Sequence, residues 1–481
     1  MSAPADWLRA RAEETPEREA LVAGSERWSF AALHDEVRVR ARRLREDRAS
    51  GATIVAARLS PDAEGVLDFW SVLYAGVRLF SLNSRLSSAE QVAQLARVRP
   101  TLALGALRYD GERPADGAPT AEAGLVLFTS GTSGPPKPAL LEARHLEASA
   151  RASARHLGTR EDDRWLLCLP LFHVGGLMIL VRSVLDGAGV VLHPGFEVGA
   201  VERDLHAERI SLASLVPTTL KRLLDGRREP AAPPCLRAVL LGGAAAPEGL
   251  VRRARAAGFP VRPTYGLTEA ASQVATAEPG DEGPGLVGRP LPGNQIRIVD
   301  AAGRVLPAGT LGTIEVRGPS VFAGYLGDPA KTAAVLRGGW LHTGDRGQLD
   351  AQGRLFVRER IGDLVVSGGE NVHPSEVESA LLDHPAVDEV AVAGLPDPDL
   401  GQRVAAWLVL RRDRASPDAR ELRAFLRDRL AGYKQPRVFH FVTALPRNAM
   451  GKVVRRQLAE LGAERAADPP EPGDMPSPGL S

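Results

Sequence analysis

The amino-acid sequence predicts an α/β protein: a large amino-terminal domain of α/β sheets that includes a small β subdomain, followed by a small α+β carboxy-terminal domain. Three observations predict it. From residue 1 to about 358, apolar runs of β type alternate with helical patterns, the arrangement that gives mainly parallel sheets covered by helices. QIRIVD (295–300) and GTIEVRG (312–318) are separated by a short stretch with Gly and Pro and no helix, which reads as antiparallel strands of a smaller β unit. After Arg360 the pattern restarts as a compact set of turn, helix, two strands and helix. The expected domains are 1–360 and 361–462, with a tail over 463–481.

LVLFTS (125–130) is a continuous apolar run that ends in a loop, the pattern of a strand buried on both faces. It opens onto Thr129-Ser130-Gly131-Thr132-Ser133-Gly134-Pro135-Pro136-Lys137. Two glycines let backbone N–H groups turn inward, the hydroxyls add donors and Lys137 adds charge, so this loop is expected to cradle phosphate oxygens. It is not a Walker A loop, which needs Lys directly after the second glycine, whereas two prolines intervene here. The window from Trp165 to Val181 is the most apolar, but Pro170, His173 and the Gly175-Gly176 pair interrupt it, which predicts a buried strand, a loop and a helix start rather than a membrane span. VVLHP (190–194), LASLVP (212–217) and LRAVLLGG (236–243) follow as strands. The last runs into Gly242-Gly243-Ala244-Ala245-Ala246-Pro247, whose small residues leave bare backbone for a flat ligand.

Tyr265-Gly266-Leu267-Thr268-Glu269 comes after another β-type stretch. An aromatic ring for a base, a glycine for close approach, a hydroxyl for phosphate and a carboxylate for Mg²⁺ lie within that short segment. His342-Thr343-Gly344-Asp345 and Arg360 supply an Asp and an Arg at strand ends, where sugar hydroxyls are commonly held, although a buried ion pair at a turn would look the same. Beyond them come the turn Ser367-Gly368-Gly369-Glu370-Asn371, a helix from about Ser375, the strands DEVAVAG and RVAAWLVLR, and a helix from about Pro417 to Leu430. Ser375 and Glu378 have capping-box spacing with Pro374 just before, which predicts where the first of these helices begins. Pro446-Arg447-Asn448-Ala449-Met450-Gly451-Lys452 is a loop that ends in a lysine. From Ala466 the chain is rich in Pro, Gly and acids without an apolar period, and is expected to be disordered.

Composition narrows the function. At roughly 150 residues per domain, 481 residues allow two to four compact units. Hydrophobic residues are 44% and charged residues 25%, those of a folded soluble chain. Lys plus Arg is 60 against 59 for Asp plus Glu, so no electrostatic footprint for nucleic acid or anionic lipid exists and any anion must be held locally. Only five of those 60 basic residues are lysines, which makes Lys137 and Lys452, each in a glycine-bearing loop, stand out as places that need a compact ammonium. Cys168 and Cys235 form neither a CxxC pair nor a zinc spacing, and the start of the chain has no apolar core of signal-peptide type, so a reducing, cytoplasmic setting is expected.

Taken together, these motifs resemble the adenylate-forming superfamily of acyl- and aryl-CoA ligases, luciferase and peptide-synthetase adenylation domains. The resemblance runs from about residue 10 to 460, with five motifs in the family's order. It implies ATP, Mg²⁺ and CoA as cofactor and co-substrates, and a small-molecule carboxylic acid as the partner. It also implies that Thr129, Ser130, Gly131, Thr132, Ser133, Gly134 and Lys137 bind phosphate, and that Gly242, Gly243 and Ala244 wall the adenine and acyl group. Tyr265 and Gly266 would lie on the adenine, Thr268 on phosphate, Glu269 on Mg²⁺, and Asp345 and Arg360 on the ribose. Lys452 matches the catalytic lysine of a mobile carboxy-terminal domain, and Ser367, Gly368, Gly369 and Glu370 match the turn that serves the thiol acceptor. The domain swings about a hinge at which many relatives carry Asp or Lys and this chain has Gly362. His173, in LPLFHVGG, resembles the gate beside the acyl pocket, and a satisfied core histidine is its bland reading. The chemistry agrees: a carboxylate attacking a phosphate is anion on anion, so cations and oriented donors are needed where charge develops.

Within the superfamily, LNSRLS (82–87), LPLFHVGGL (169–177) and YGLTEAASQVAT (265–276) look most like the branch that activates o-succinylbenzoate in menaquinone synthesis. That aromatic diacid has a second carboxylate, for which Ser272 and Gln273, beside Leu267 on the acyl side, are the expected polar groups. The alternatives are a CoA ligase for another aryl or medium- to long-chain fatty acid, a stand-alone adenylation domain that loads a carrier protein, and a nucleotide-binding regulator without catalysis. A homodimer is also allowed for.

Overall fold

The computed structural model describes residues 3–49, 53–104, 123–129, 136–229, 231–360, 365–367, 370–448 and 452–463. The chain divides into two compact units, Met1–Arg358 and Glu359–Ser481.

The first unit is α/β with mixed sheets. Among the described residues one sheet has six strands, in the order Gly324–Tyr325, Lys137–Glu142, Gly124–Thr129, Arg78–Ser81, Ile54–Ala57, Leu102–Ala103. Its middle strands are parallel, and the near-continuous apolar runs GLVLFT and IVAA are what burial on both faces requires. A 14-stranded sheet carries the rest, with Val261–Leu267, Ala238–Leu241, Leu212–Leu215, Arg164–Leu167 and Gly189–Leu192 side by side and parallel. The antiparallel pair Gln295–Val299 and Gly312–Arg317 stands at one edge of this sheet, with Trp340–Leu349 beside it.

Two largely apolar helices are buried over most of their surface. Ala63–Tyr74 starts on Asp62, whose side chain accepts from the Gly65 N–H at 3.0 Å, and it buries Val66, Leu67, Phe69, Trp70 and Leu73. Val174–Asp186 buries Leu177 through Val181 and is the helix start expected inside the apolar window. Each such side chain contributes about 1.5–3 kcal/mol relative to exposure. Cys168 and Cys235 are free, and burial pushes the Cys168 thiol up to about 12, so it is not a nucleophile near neutral pH. Among the described residues no helix is long and apolar enough to cross a membrane.

The second unit packs the helices Pro374–Leu382 and Ala419–Arg427 on a five-stranded sheet led by the long pair Val387–Asp397 and Gly401–Leu410. Val377, Leu381, Val392, Leu408, Leu422 and Leu426 form its core. The expected capping box at Ser375 is not used. The helix begins at Pro374, with His373 as its N-cap and no side-chain cap bond. Glu378 turns away from the helix start because a buried strand edge and a guanidinium compete for it: its carboxylate accepts from Val392 N–H at 2.8 Å and from Arg455 Nη2 at 2.8 Å. The stretch 464–481, expected to be disordered, lies outside the described residues.

Candidate functional site

The two strands that frame the predicted phosphate loop form an antiparallel pair in which Thr129 is the register partner of Lys137. The loop is thus closed at its base by a ladder, and its two ends are fixed relative to each other. Ser130, Gly131, Thr132, Ser133 and Gly134 lie outside the described residues. Lys137 reaches over the ring of Tyr325, with Nζ 5.2 Å from the centroid. Three of the other lysines are in acid pairs: Lys221 with Asp225, Lys331 with Asp328 and Lys434 with Glu376.

Tyr265 to Glu269 occupy the end of the strand Val261–Leu267 and the single 3₁₀ turn Thr268–Ala270. This strand pairs with Ser272–Thr276 across a register irregularity at Tyr265/Gly266. The reversal is tight: Ala271 at φ 51° and Ser272 at φ 89° both lie in the left-handed region that favours glycine. Two helices hold it from below. Ser149 Oγ donates to the Ala271 carbonyl at 2.6 Å, and Arg182 Nη2 donates to Ser272 Oγ at 3.3 Å. Arg182 is fully buried beside the Trp165 ring, and burial lowers its guanidinium to about 10. Gln273, also buried, accepts from Ser153 Oγ at 2.7 Å and donates to Thr276 Oγ1 at 3.0 Å. Ser272 and Gln273 are therefore set against the helices Ala143–Leu157 and Val174–Asp186.

The turn delivers its functional groups to neighbours distant in sequence. Tyr265 Oη donates to Asp345 Oδ2 at 2.6 Å, which joins the YGLTE and HTGD motifs across the sheet. Asp345 is itself set by Thr343, whose Oγ1 accepts the Asp345 N–H at 3.1 Å and donates to the Ile314 carbonyl at 2.8 Å. Glu269 Oε1 accepts from Tyr325 Oη at 2.9 Å, and the Glu269 carbonyl accepts from Phe322 N–H at 2.9 Å. Lys137, Tyr325 and Glu269 thus form one chain of contacts. Gly242, Gly243 and Ala244 follow the end of the parallel strand Ala238–Leu241, Gly242 packs on Thr264, and Gly243 and Ala244 are exposed. That is the carboxyl-end edge where α/β sheets receive ligands. His173 is the N-cap residue of Val174–Asp186 and packs edge-on against Phe172, 4.5 Å between ring centroids. Leu267 and Thr268 are half-buried.

In the second unit, Asn448 brackets Lys452. The Asn448 N–H donates to the Lys452 carbonyl at 2.9 Å, and Asn448 Oδ1 accepts the Lys452 N–H at 3.0 Å. Ser367 and Glu370 close a short antiparallel hairpin; Gly362, Gly368 and Gly369 lie outside the described residues, as does the side chain of Arg360.

Among the described residues there is no group of three or more His, Cys, Asp or Glu that could hold a metal alone. A lone carboxylate on the same contact chain as the phosphate-loop lysine suits a Mg²⁺ ion that arrives with phosphates, because that ion is usually held by one or two carboxylates together with phosphate oxygens. The donor set therefore fits such an ion, with Glu269 as the carboxylate that would hold it. Sequence reasoning missed Tyr325, Ser149 and Arg182, and gave Asn448 no role within the loop that ends in Lys452. Tyr325 has only the Gly-Tyr dipeptide as a local signal, and its role depends on a strand pairing that no spacing reveals.

The chain matches the AMP-binding enzyme family over residues 8–326 and the AMP-binding enzyme C-terminal domain over 376–452. It is 38% identical to a 2-succinylbenzoate–CoA ligase of Bacillus pumilus, covering 95% of this chain and 98% of that one. The o-succinylbenzoate CoA synthetase of Bacillus subtilis in complex with the acyl-adenylate intermediate superposes with a TM-score of 0.85 at 36% identity, over 94% of this chain and 97% of the other. The same enzyme with ATP and magnesium ion superposes with a TM-score of 0.84 at 35% identity, over 94% and 99%.

Proposed function

The chain belongs to the AMP-binding enzyme family, and from that premise we propose that it is the AMP-forming ligase that joins 2-succinylbenzoate to coenzyme A. ATP and CoA are its co-substrates and Mg²⁺ its cofactor. What carries the reading is that a phosphate-loop strand pair, a metal-competent carboxylate and a Tyr–Asp pair converge in a chain that matches 2-succinylbenzoate–CoA ligases along 95% of its length.

The reaction has two steps. A carboxylate oxygen of the acid attacks the α-phosphorus of ATP and pyrophosphate leaves, giving the acyl-adenylate. The sulfur of CoA then attacks the acyl carbonyl carbon, AMP leaves and the thiol proton passes to solvent. In the first step two anions meet, so the protein has to supply positive charge and fixed donors. Lys137 and the loop from Thr129 through Gly134 take the phosphates, Thr268 adds a hydroxyl, and Lys452 supplies the ammonium that stabilises the charge developing at the α-phosphate. Mg²⁺, when bound, neutralises phosphate charge, with Glu269 as its protein ligand. Tyr265 and Gly266 take the adenine, Gly242, Gly243 and Ala244 the wall beside it, and Asp345 and Arg360 the ribose hydroxyls. His173 and Leu267 border the acyl group. Ser272 and Gln273 remain proposed for the second carboxylate, which would have to compete with their existing bonds to Arg182, Ser153 and Thr276. In the thioester step the hairpin Ser367–Glu370, with Gly368 and Gly369, replaces Lys452 as the working face of the second unit, and Gly362 is the proposed pivot.

Free thiols and dependence on ATP and CoA favour the cytoplasm as the compartment. A homodimer is proposed, and sedimentation should then find a species of twice the 51.2 kDa chain. The functional test is pyrophosphate release with ATP, Mg²⁺ and a panel of o-succinylbenzoate, benzoate and hexanoate, beside Lys452→Ala. Release with o-succinylbenzoate, reduced on the order of 10² to 10³-fold in the variant, supports the reading. Release only with another acid removes the assigned substrate, and release with none removes the ligase reading.

A further inference from the structure

We propose that Tyr325 is a positioning residue that holds the carboxylate of Glu269 in place and keeps it apart from the ammonium of Lys137. The inference rests on the proposed roles of Glu269 at Mg²⁺ and Lys137 at phosphate. A lysine and a glutamate that serve one polyanion and its cation have opposite charges and a strong tendency to pair with each other, which would take both away from the ligand. Tyr325 resolves this conflict with one side chain. Its hydroxyl donates to Glu269 Oε1 at 2.9 Å, and its ring face takes Lys137 Nζ at 5.2 Å from the centroid. The ammonium is satisfied by the π face instead of by the carboxylate.

The ring cannot drift from this post. Tyr325 belongs to the two-residue strand Gly324–Tyr325, which pairs antiparallel with Lys137–Glu142, placing Tyr325 opposite Ala139. Its N–H donates to Thr332 Oγ1 at 2.9 Å. Gly324 has φ 137° and a Cβ there would lie 2.6 Å from Thr332 Cγ2, so the close approach that aims the ring depends on glycine. Phe322 packs edge-on against the ring at 5.0 Å and donates its own N–H to the Glu269 carbonyl. Glu269 is thus fixed at backbone and side chain by the same short segment. Tyr325 is 8% exposed, so its hydroxyl bond to the carboxylate is little diluted by water.

The test is binding of Mn²⁺ by the full chain with the non-cleavable analogue α,β-methylene-ATP, read by electron paramagnetic resonance of free Mn²⁺, with thermal unfolding as the check on folding. Glu269→Gln should weaken Mn²⁺ binding at least about tenfold. Tyr325→Phe, which removes only the hydroxyl, should weaken it about three- to tenfold, and Tyr325→Leu, which also opens the path between the charges, should weaken it further. With the analogue held at saturation for every variant, adding Lys137→Ala to Tyr325→Leu should restore part of the Mn²⁺ affinity, because the competing ammonium is gone; a merely structural tyrosine would give no such recovery. If Glu269→Gln weakens Mn²⁺ binding while both tyrosine variants bind like the parent, the inference fails and the role of Glu269 stands. If Glu269→Gln leaves Mn²⁺ binding unchanged, the metal assignment fails and the inference with it.

Discussion

Gly266→Ala should damage the adenylation step far more than a methyl group suggests. A Cβ at this position would lie 2.6 Å from the carbonyl carbon of Ser272 and 3.2 Å from Gln273 Cα, with the Ser272 oxygen nearer still. These are backbone atoms, which have no rotamer into which to withdraw. Nor can the Ser272 side yield cheaply, since Ala271 and Ser272 are already in the left-handed region and the Ala271 carbonyl is held by Ser149 Oγ at 2.6 Å. Relief therefore requires the two strands to part by on the order of 1 Å, and a shift of that size at a catalytic constellation costs about 10²-fold in rate. Tyr265 would move off Asp345 and Glu269 off Tyr325, so both the nucleotide and the metal side should suffer. The strain itself should cost about 1–3 kcal/mol of stability. The assay is ATP–pyrophosphate exchange with o-succinylbenzoate across a range of ATP concentrations, beside a urea titration. A variant within threefold of the parent in kcat/KM, with unchanged unfolding, would refute the claim that this hairpin sets the site.

Three further outcomes follow from other contacts. Asn448→Ala removes the Oδ1 that accepts the Lys452 N–H and leaves the backbone bond from residue 448 to the Lys452 carbonyl, so pyrophosphate release should fall up to about tenfold while thioester formation from supplied acyl-adenylate is unchanged; equal loss in both half-reactions would show the clamp to be merely structural. Asp163 is buried; burial alone would raise its carboxyl, but Arg237, Ser211 and the Arg160 N–H hold it below its ordinary value, so Asp163→Ala leaves the part-exposed Arg237 guanidinium with the Leu157 and Gly158 carbonyls and should cost about 1–3 kcal/mol by urea unfolding. Burial pushes the Asp186 carboxyl up to about 7, so between its unfolded value near pH 4 and pH 7 the folded chain holds a proton that the unfolded chain has lost. Stability should therefore fall as pH rises through that window, by at most about 1.4 kcal/mol per unit, and Asp186→Asn should flatten the slope; identical pH profiles for parent and variant would contradict it.

Much of the first unit was legible because its signals are local. GLVLFT, AVLL and LASL are short apolar runs between turns, and each is a buried strand with at least one parallel neighbour. The apolar window around Pro170 likewise resolved into the strand Arg164–Leu167 and the helix Val174–Asp186. What local spacing did not show was the long-range pairing. Ser375 and Glu378 have the spacing of a capping box, yet Glu378 is claimed by Arg455 and by Val392, neither of which the local sequence can announce. The facing of Ser272 and Gln273 is set by the irregularity at Tyr265/Gly266, because side chains alternate along a strand and one added residue turns the following ones to the other face. Tyr325 escaped for the same kind of reason: nothing within its own segment shows that the strand Lys137–Glu142 will be its neighbour.

Conversion of o-succinylbenzoate to its CoA thioester through an acyl-adenylate can be followed by mass spectrometry of one incubation of this chain with the acid, ATP and Mg²⁺, sampled before and after CoA is added. The o-succinylbenzoyl adenylate is expected before CoA, and o-succinylbenzoyl-CoA and AMP in its place afterwards. Persistence of ATP and free acid in both samples, with the protein folded, would contradict it.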